Sequence, residues 1–231
     1  FTLVNLYAKP FTADPNAEGV PIVLQFDPAI KPARAKVSEV YTQIEKDLND
    51  AFGLMTNTTK NSSLISKFVA KALLSRVYLY KGDWNNAKTA ALDVVNNGGY
   101  KLAADSTAFV NYWKSPSPTT NKTETIFEIS ADGINNNGTN SLSYFYDPAG
   151  YGDAICADDL YNKYTVKDAR RSLLVNGVRA SQNVRIVNKY PNTSNNAEKD
   201  DTKIIRYAEV LLTLAEAYAR TSDETNALAR L

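Results

Sequence analysis

The stretch SKFVAKALLSRVYLYKGDWNNAKTAALDVVNNGG, residues 66–99, decides the architecture. Leu73, Leu74, Val77, Tyr78 and Leu79 recur at helical spacing behind Ser66, a residue suited to an N-cap, and Gly82 stands where the helix must stop. Asp83 caps the next helix, and Trp84, Ala87, Ala91, Val94 and Val95 share its inner side until Gly98-Gly99 ends it. The stretch therefore predicts a helical hairpin.

Its internal spacing agrees with the tetratricopeptide pattern: Leu74-Ser75, then Tyr78, then the turn Gly82-Asp83-Trp84, then Ala87 and Ala91. Tyr78 and Trp84 fill the wedge between the helices, Gly82 permits the tight turn, and the alanines allow close approach. A second copy lies at 202–231, where Leu214-Ala215, Tyr218 and Ala227 repeat the offsets with Ser222-Asp223 in the turn. The sequence stops at Leu231, inside that hairpin's second helix as predicted. Ile204, Ala208, Leu211, Ala215 and Tyr218 form one stripe there, with Arg206, Glu209, Thr213, Glu216 and Arg220 on the other.

Towards the N-terminus, Val37, Val40, Tyr41, Ile44, Leu48 and Phe52 predict a helix over roughly 34–52 with Gly53 as its stop, so 34–98 forms the first hairpin region. Before it, Pro10, Pro15, Pro21 and Pro28 make an extended loop after a short opening helix end. Residues 99–201 change character: ETIFEISA (124–131) reads as a strand, INNNGTN as a loop, YFYDPAGYGD as an aromatic turn and 157–164 as a short helix. Residues 184–190 can form another strand before a polar loop. The predicted class is mostly α: a tetratricopeptide-like scaffold with a loop-rich insertion containing short strands, and insertions into helical arrays commonly carry function.

Composition narrows the chemistry. With 231 residues and 44% hydrophobic the chain can bury one substantial core. Its 26 Lys and Arg against 25 Asp and Glu give no global field towards nucleic acid or an acidic membrane. The absence of histidine removes Ser-His-Asp and Cys-His nucleophile systems, HExxH zinc sites and imidazole switching. The single cysteine, Cys156, can form no internal disulfide and reads as a small buried side chain. A carboxylate-pair glycosidase remains compatible with composition, but nothing marks a pair, and Asp158-Asp159 reads as helix-start charge. Arg170-Arg171, Arg179, Arg185 and Lys189 carry no nucleic-acid motif and read as solvated surface.

Enrichment in Tyr (14) and Asn (23) is more telling, because aromatic faces cover the apolar C–H face of a pyranose while amides satisfy its hydroxyls. Candidate glycan-binding residues are Tyr144, Tyr146, Tyr151, Asn136, Asn140 and Asp153. An extended Tyr144-Phe145-Tyr146 would set both tyrosines on one side as a platform and Phe145 inward; the alternative is that the tyrosines cover a strand edge. Trp113, in FVNYWKSPSP, is a further candidate because a Pro/Ser-rich loop would leave it partly exposed. Trp84 belongs to the hairpin core.

Several segments together resemble one family. They are Arg34-Ala35-Lys36-Val37-x2-Val40-Tyr41-x2-Ile44-x2-Asp47-Leu48, Ser66-Lys67-x2-Ala70-Lys71-Ala72-Leu73-Leu74-Ser75-Arg76-Val77-Tyr78-Leu79-Tyr80 and Gly82-Asp83-Trp84. Glu124-Thr125-Ile126-Phe127-Glu128-Ile129, Asp168-Ala169-Arg170-Arg171, Lys189-Tyr190, Ile205-Arg206-Tyr207-Ala208-Glu209-Val210-Leu211-Leu212 and Ala215-Glu216-Ala217 follow in the same order. This ensemble is similar to the SusD/RagB-like surface glycan-binding lipoproteins of Bacteroidetes. The resemblance implies a SusD-like α-α superhelix whose loop-rich face, here 99–201, holds oligo- or polysaccharide outside the cell and hands it to a SusC-like TonB-dependent transporter. It implies no catalysis and an outer-membrane location through an N-terminal lipid; no cofactor is expected, and the charge balance and motifs give no reason to expect a nucleic-acid partner. Family members are about twice this length, so the resemblance makes residues 1–231 a fragment of one SusD-like domain, with the lipid anchor and part of the ligand site before Phe1. Two rivals remain open: a peptide-binding relative, as in the RagB branch, and a helical-repeat interaction scaffold.

Overall fold

A computed structural model of the protein describes residues 1–58, 61–114, 122–191 and 201–231. In chain order its elements are α1 (Thr2–Tyr7), α2 (Val37–Leu54), α3 (Lys67–Lys81), α4 (Trp84–Asn97), α5 (Ser106–Lys114), β1 (Thr125–Ile129), α6 (Leu142–Tyr146), β2 (Ile155–Cys156) and α7 (Asp158–Lys163). There follow β3 (Leu174–Arg179), β4 (Gln182–Val187), β5 (Thr202–Arg206), α8 (Tyr207–Arg220) and α9 (Glu224–Leu228). They divide into two compact units, one of residues 1–59, 65–100 and 205–231, the other of 60–64 and 101–204. No helix among the described residues is long and apolar enough to cross a membrane.

The first unit is helical. Leu74 and Val77 of α3, Ala87, Ala91 and Val94 of α4, and Val210, Leu214 and Ala217 of α8 are all essentially buried. Small residues at the α3 and α4 contact let the backbones approach, as the sequence predicts. A second cluster joins Val4, Val37, Val40 and Tyr41 to Val77. Arg76 grips Glu209 with two hydrogen bonds of 2.5 and 2.7 Å, tying α3 to α8.

Both hairpins turn by the same geometry. Gly82 lies in the left-handed region (φ 77°), the Asp83 amide bonds to the Tyr78 carbonyl at 2.9 Å, and the Asp83 carboxylate accepts from the Asn86 amide. At α8 and α9 Ser222 takes the left-handed position (φ 61°), Asp223 bonds to Tyr218 at 2.9 Å and caps Asn226. The predicted repeat is thus structural.

Several boundaries differ from expectation. Helix α2 passes through Gly53 to Leu54. Ser66 stands at the N-cap, but its hydroxyl serves Tyr100 rather than the helix amides. Ile204 and Arg206 belong to β5, so the helix starts at Tyr207 and Thr213 turns inward, 3% exposed.

The second unit holds the strands. β1 pairs with β5, which begins in this unit, and β2, β4 and β3 form a three-stranded sheet in that order. β3 and β4 are antiparallel with Arg179 opposite Gln182, so Ala180 and Ser181 (φ 47° and 63°) make a two-residue turn without glycine. In this unit Lys122, 6% exposed, bonds to Asp201 at 2.5 Å and Glu128 at 3.1 Å, and Ser62 donates to Glu128 at 2.5 Å. Removing Lys122 from this buried group should cost about 3–5 kcal/mol, because Asp201 and Glu128 would lose their shared cation. The Pro/Ser tract after Lys114 and most of the polar loop expected before β5 lie outside the described residues.

Candidate functional site

The aromatic turn begins at a short helix. Ser141 caps α6 by accepting from the Tyr144 amide at 3.4 Å, and its hydroxyl meets that of Ser143 at 2.9 Å in the interior. Pro148 follows the helix, and its ring cannot supply the amide that another turn would need. The chain folds back instead: the Tyr144 carbonyl accepts from the Tyr151 amide at 2.7 Å and the Gly152 amide at 3.3 Å, and Phe145 accepts from Ala154 at 3.1 Å. Gly150 is required by this closure, since a Cβ there would lie 2.6 Å from the Tyr144 carbonyl oxygen. Gly152 has φ +58° and is buried.

The fold-back sets Tyr151 edge-on to Tyr144 at 5.5 Å and against Phe145 at 5.9 Å. Tyr151 keeps 50% of its surface and Phe145 42%, so the cluster presents aromatic area to solvent. Arg179, at the end of β3, holds the turn from behind. Its guanidinium donates to the Gly152 carbonyl at 2.6 Å and the Tyr151 carbonyl at 3.3 Å, and pairs with Asp153.

The extended platform expected of Tyr144-Phe145-Tyr146 is not formed. At 3.6 residues per turn, residues two apart on a helix point about 160° from each other, so α6 sends the two tyrosines to different neighbours. Tyr146 stacks on Tyr190 (5.7 Å, 22° between planes), and Phe145, expected inside, stands at the surface with Tyr151.

Trp113 also corrects its expectation. It lies in α5, not in a loop, and is 6% exposed, edge-on to Tyr190 at 6.1 Å with the Lys189 ammonium 3.7 Å from its ring centroid. An amphipathic run forms the helix from Ser106 to Lys114, and the indole packs on its buried side. Asn136 spends its amide locally, donating to the Asp132 carbonyl at 2.7 Å and accepting from the Gly138 amide at 2.8 Å. Asn140 is exposed in the 3-10 turn Gly138–Asn140.

Of the predicted residues, then, Tyr144, Tyr151 and Asp153 come together, Tyr146 and Trp113 join a more interior group around Tyr190, and the two asparagines sit on the neighbouring loop. Sequence reasoning missed Phe145, Tyr190 and Arg179. No local signal points to Arg179, whose contacts lie 26 to 28 residues away.

Hydrogen bonds from the backbone and side chain of Asn135, then from the Ile134 amide, hold the exposed Asp132 carboxyl below its usual range. Burial first, and Asp158 to a lesser degree, pushes the Cys156 thiol up, so it is not a ready nucleophile. Among the described residues no group of three or more Cys, Asp or Glu could hold a metal ion.

Comparisons with known proteins bear on this geometry. The family described as "Starch-binding associating with outer membrane" matches residues 1–79, and the one described as "SusD family" matches residues 176–231. No curated protein matches. A putative sugar binding protein from Bacteroides vulgatus is similar at 30% identity and TM-score 0.85, over 99% of this chain and 52% of that one. A SusD superfamily protein from Bacteroides thetaiotaomicron is similar at 27% identity and TM-score 0.82, over 100% of this chain and 54% of that one. A further SusD superfamily protein from Bacteroides vulgatus is similar at 25% identity and TM-score 0.80, over 96% and 52%. The chain spans about half the length of the solved structures it matches.

Proposed function

Because the chain belongs to the SusD/RagB-like family of Bacteroidetes outer-membrane nutrient-binding lipoproteins, we propose that it captures oligo- or polysaccharide at the cell surface without catalysis and passes it to a SusC-like TonB-dependent transporter. The observation that carries the sugar reading is the exposed cluster of Phe145 and Tyr151 against Tyr144, braced by Arg179 and edged by Asp153. Aromatic area next to a carboxylate and a guanidinium matches a pyranose, whose C–H face is apolar and whose rim is hydroxyl. The starch-binding description of the matching family and the sugar-binding description of the 30%-identical relative support the same class.

In this reading the protein is held at the outer membrane by a lipid and faces outward. Tyr144, Tyr151 and Asp153 make the contact surface, with Phe145 added. Asn140 stays available on the adjacent loop, Tyr146 and Trp113 support the turn from within, and Asn136 shapes its loop. Binding to an array of plant, microbial and host polysaccharides, set against an array of peptides, tests this. Retention on at least one polysaccharide is expected; binding to peptides alone would replace the sugar reading with the peptide one.

A further inference from the structure

The β3 and β4 hairpin carries a second polar concavity. Asn176 faces Arg185 and Val178 faces Asn183 across the strands, so Asn176, Asn183 and Arg185 share one face of the hairpin while Arg179 lies on the other. With Asp158 at the start of α7 and the backbone at Gly177 and Val184 they line a cavity of about 370 Å3. That is within the range of small-ligand sites, roughly 300–1,000 Å3.

Its guanidinium is fixed in advance. Arg185 lies 3.9 Å from the Tyr161 ring centroid and bonds to the Asn176 side-chain oxygen. Arg171 lies 4.2 Å from the same centroid and donates to the Tyr164 carbonyl at 2.7 Å. Two guanidinium groups so close to one ring must take opposite faces, so Tyr161 is a clamp and offers no face for stacking. A cation held this way loses little freedom when a ligand arrives. Among the described residues Arg185 has no carboxylate in ion-pair distance, and neither the Asp158 carboxylate nor the Asn183 amide has a hydrogen bond or ion pair.

An acid, two amides and a guanidinium supply acceptors and donors together. A guanidinium alone would select an anion, but Asp158 on the same rim disfavours one. Neutral vicinal hydroxyls satisfy the whole set. We infer that this concavity is a second saccharide subsite, which takes the hydroxyl edge of a neutral sugar unit without ring stacking. It rests on the sugar reading of the chain and lies on the hairpin face opposite to Arg179, which braces the aromatic turn.

Titration of the isotope-labelled protein with maltohexaose, cellohexaose, xylohexaose and mannohexaose, followed by amide nuclear magnetic resonance, tests it. For at least one sugar the Asn176, Gly177 and Asn183 signals should move together with those of Tyr144–Asp153. The Asn176→Ala/Asn183→Ala double variant should bind that sugar roughly 5- to 25-fold more weakly, as expected for one or two lost hydrogen bonds. Asp158→Asn gives an independent reading if the double variant melts early. Shifts confined to Tyr144–Asp153, with both variants binding as tightly as the parent, would overturn the second subsite and leave the sugar reading standing. No shift at Asn176, Gly177 and Asn183 with any of the four sugars would overturn the second subsite, whereas the sugar reading falls only if the array retains peptides alone.

Discussion

Gly82 and Ser222 do the same work with different side chains. Each turns a helical hairpin in the left-handed region, where a Cβ is costly by about 1–2 kcal/mol. Ser222→Gly should therefore raise stability by about 0.5–1 kcal/mol, and Gly82→Ser should lower it by about 1 kcal/mol or more. The added Cβ at Gly82 would also meet the Thr12 methyl at 3.3 Å. Thermal unfolding checks both, with shifts of roughly 2–4 °C per kcal/mol expected at this size. At this scale the sequence is most readable where one residue type has one use. Gly82, Asp83, Ala87 and Ala91 fall at offsets that only a tight helical hairpin needs. Trp113 was misleading because the prolines that follow it say nothing about which side of the preceding helix the indole takes.

Among the elements, α6 and β3 were the hardest to read. A helix of five residues has too few positions to show a period, so Tyr144-Phe145-Tyr146 has the appearance of a strand. β3 carries Asn176-Gly177, a turn signal, in its middle, while its true turn at Ala180-Ser181 has neither Asn nor Gly. The register resolves this: Gly177 is open to the Ile186 side chain, whose Cδ1 would lie 1.9 Å from an added Cβ. The longer α2, α3, α4 and α8 were legible because their apolar stripes persist over several turns; α3 and α4 also keep the expected caps, while α2 and the start of α8 are displaced by two or three residues.

The turn around Tyr151 depends on β3 through Arg179, and a variant can separate that role from simple stability. In the Arg179 and Asp153 pair the aspartate is exposed and the arginine half-buried, so solvent screens the charge pairing, which contributes little to folding. Arg179→Gln should lower stability by no more than about 1 kcal/mol, the worth of one lost hydrogen bond. It should nonetheless reduce retention on a polysaccharide gel, because the Tyr151 and Gly152 carbonyls lose their donor. Arg179→Lys supplies the charge without the fork and should recover only part of the binding.

For the whole molecule, composition sets the pH response. With no histidine, no side chain of ordinary pKa titrates between about pH 5.5 and 7.5, so sugar affinity should be flat across that window. It should fall only in acid. The Asp132 carboxyl is held below its ordinary value by the Asn135 bonds, so its contribution to the loop is present above about pH 3.9 and is lost as pH falls through the lower folded value. Affinity measured from pH 3 to 8 checks this, and a step near neutrality would contradict it.

The sequence changes pattern after residue 99, and the long segment of the strand-bearing unit begins at Lys101. The grouping of Tyr144, Phe145, Tyr151 and Arg179 was not legible in the sequence, because it depends on contacts made by the folded turn and by a strand far along the chain. The central claim is that this grouping binds sugar. Its most direct test is calorimetric titration of the parent, Tyr144→Ala and Tyr151→Ala with the polysaccharide or oligosaccharide that the array selects. Each single variant should keep its melting behaviour and lose about 1–2 kcal/mol of binding, a factor of roughly 5–30. Parent-like affinity in both variants would contradict the assignment of the sugar site to this turn.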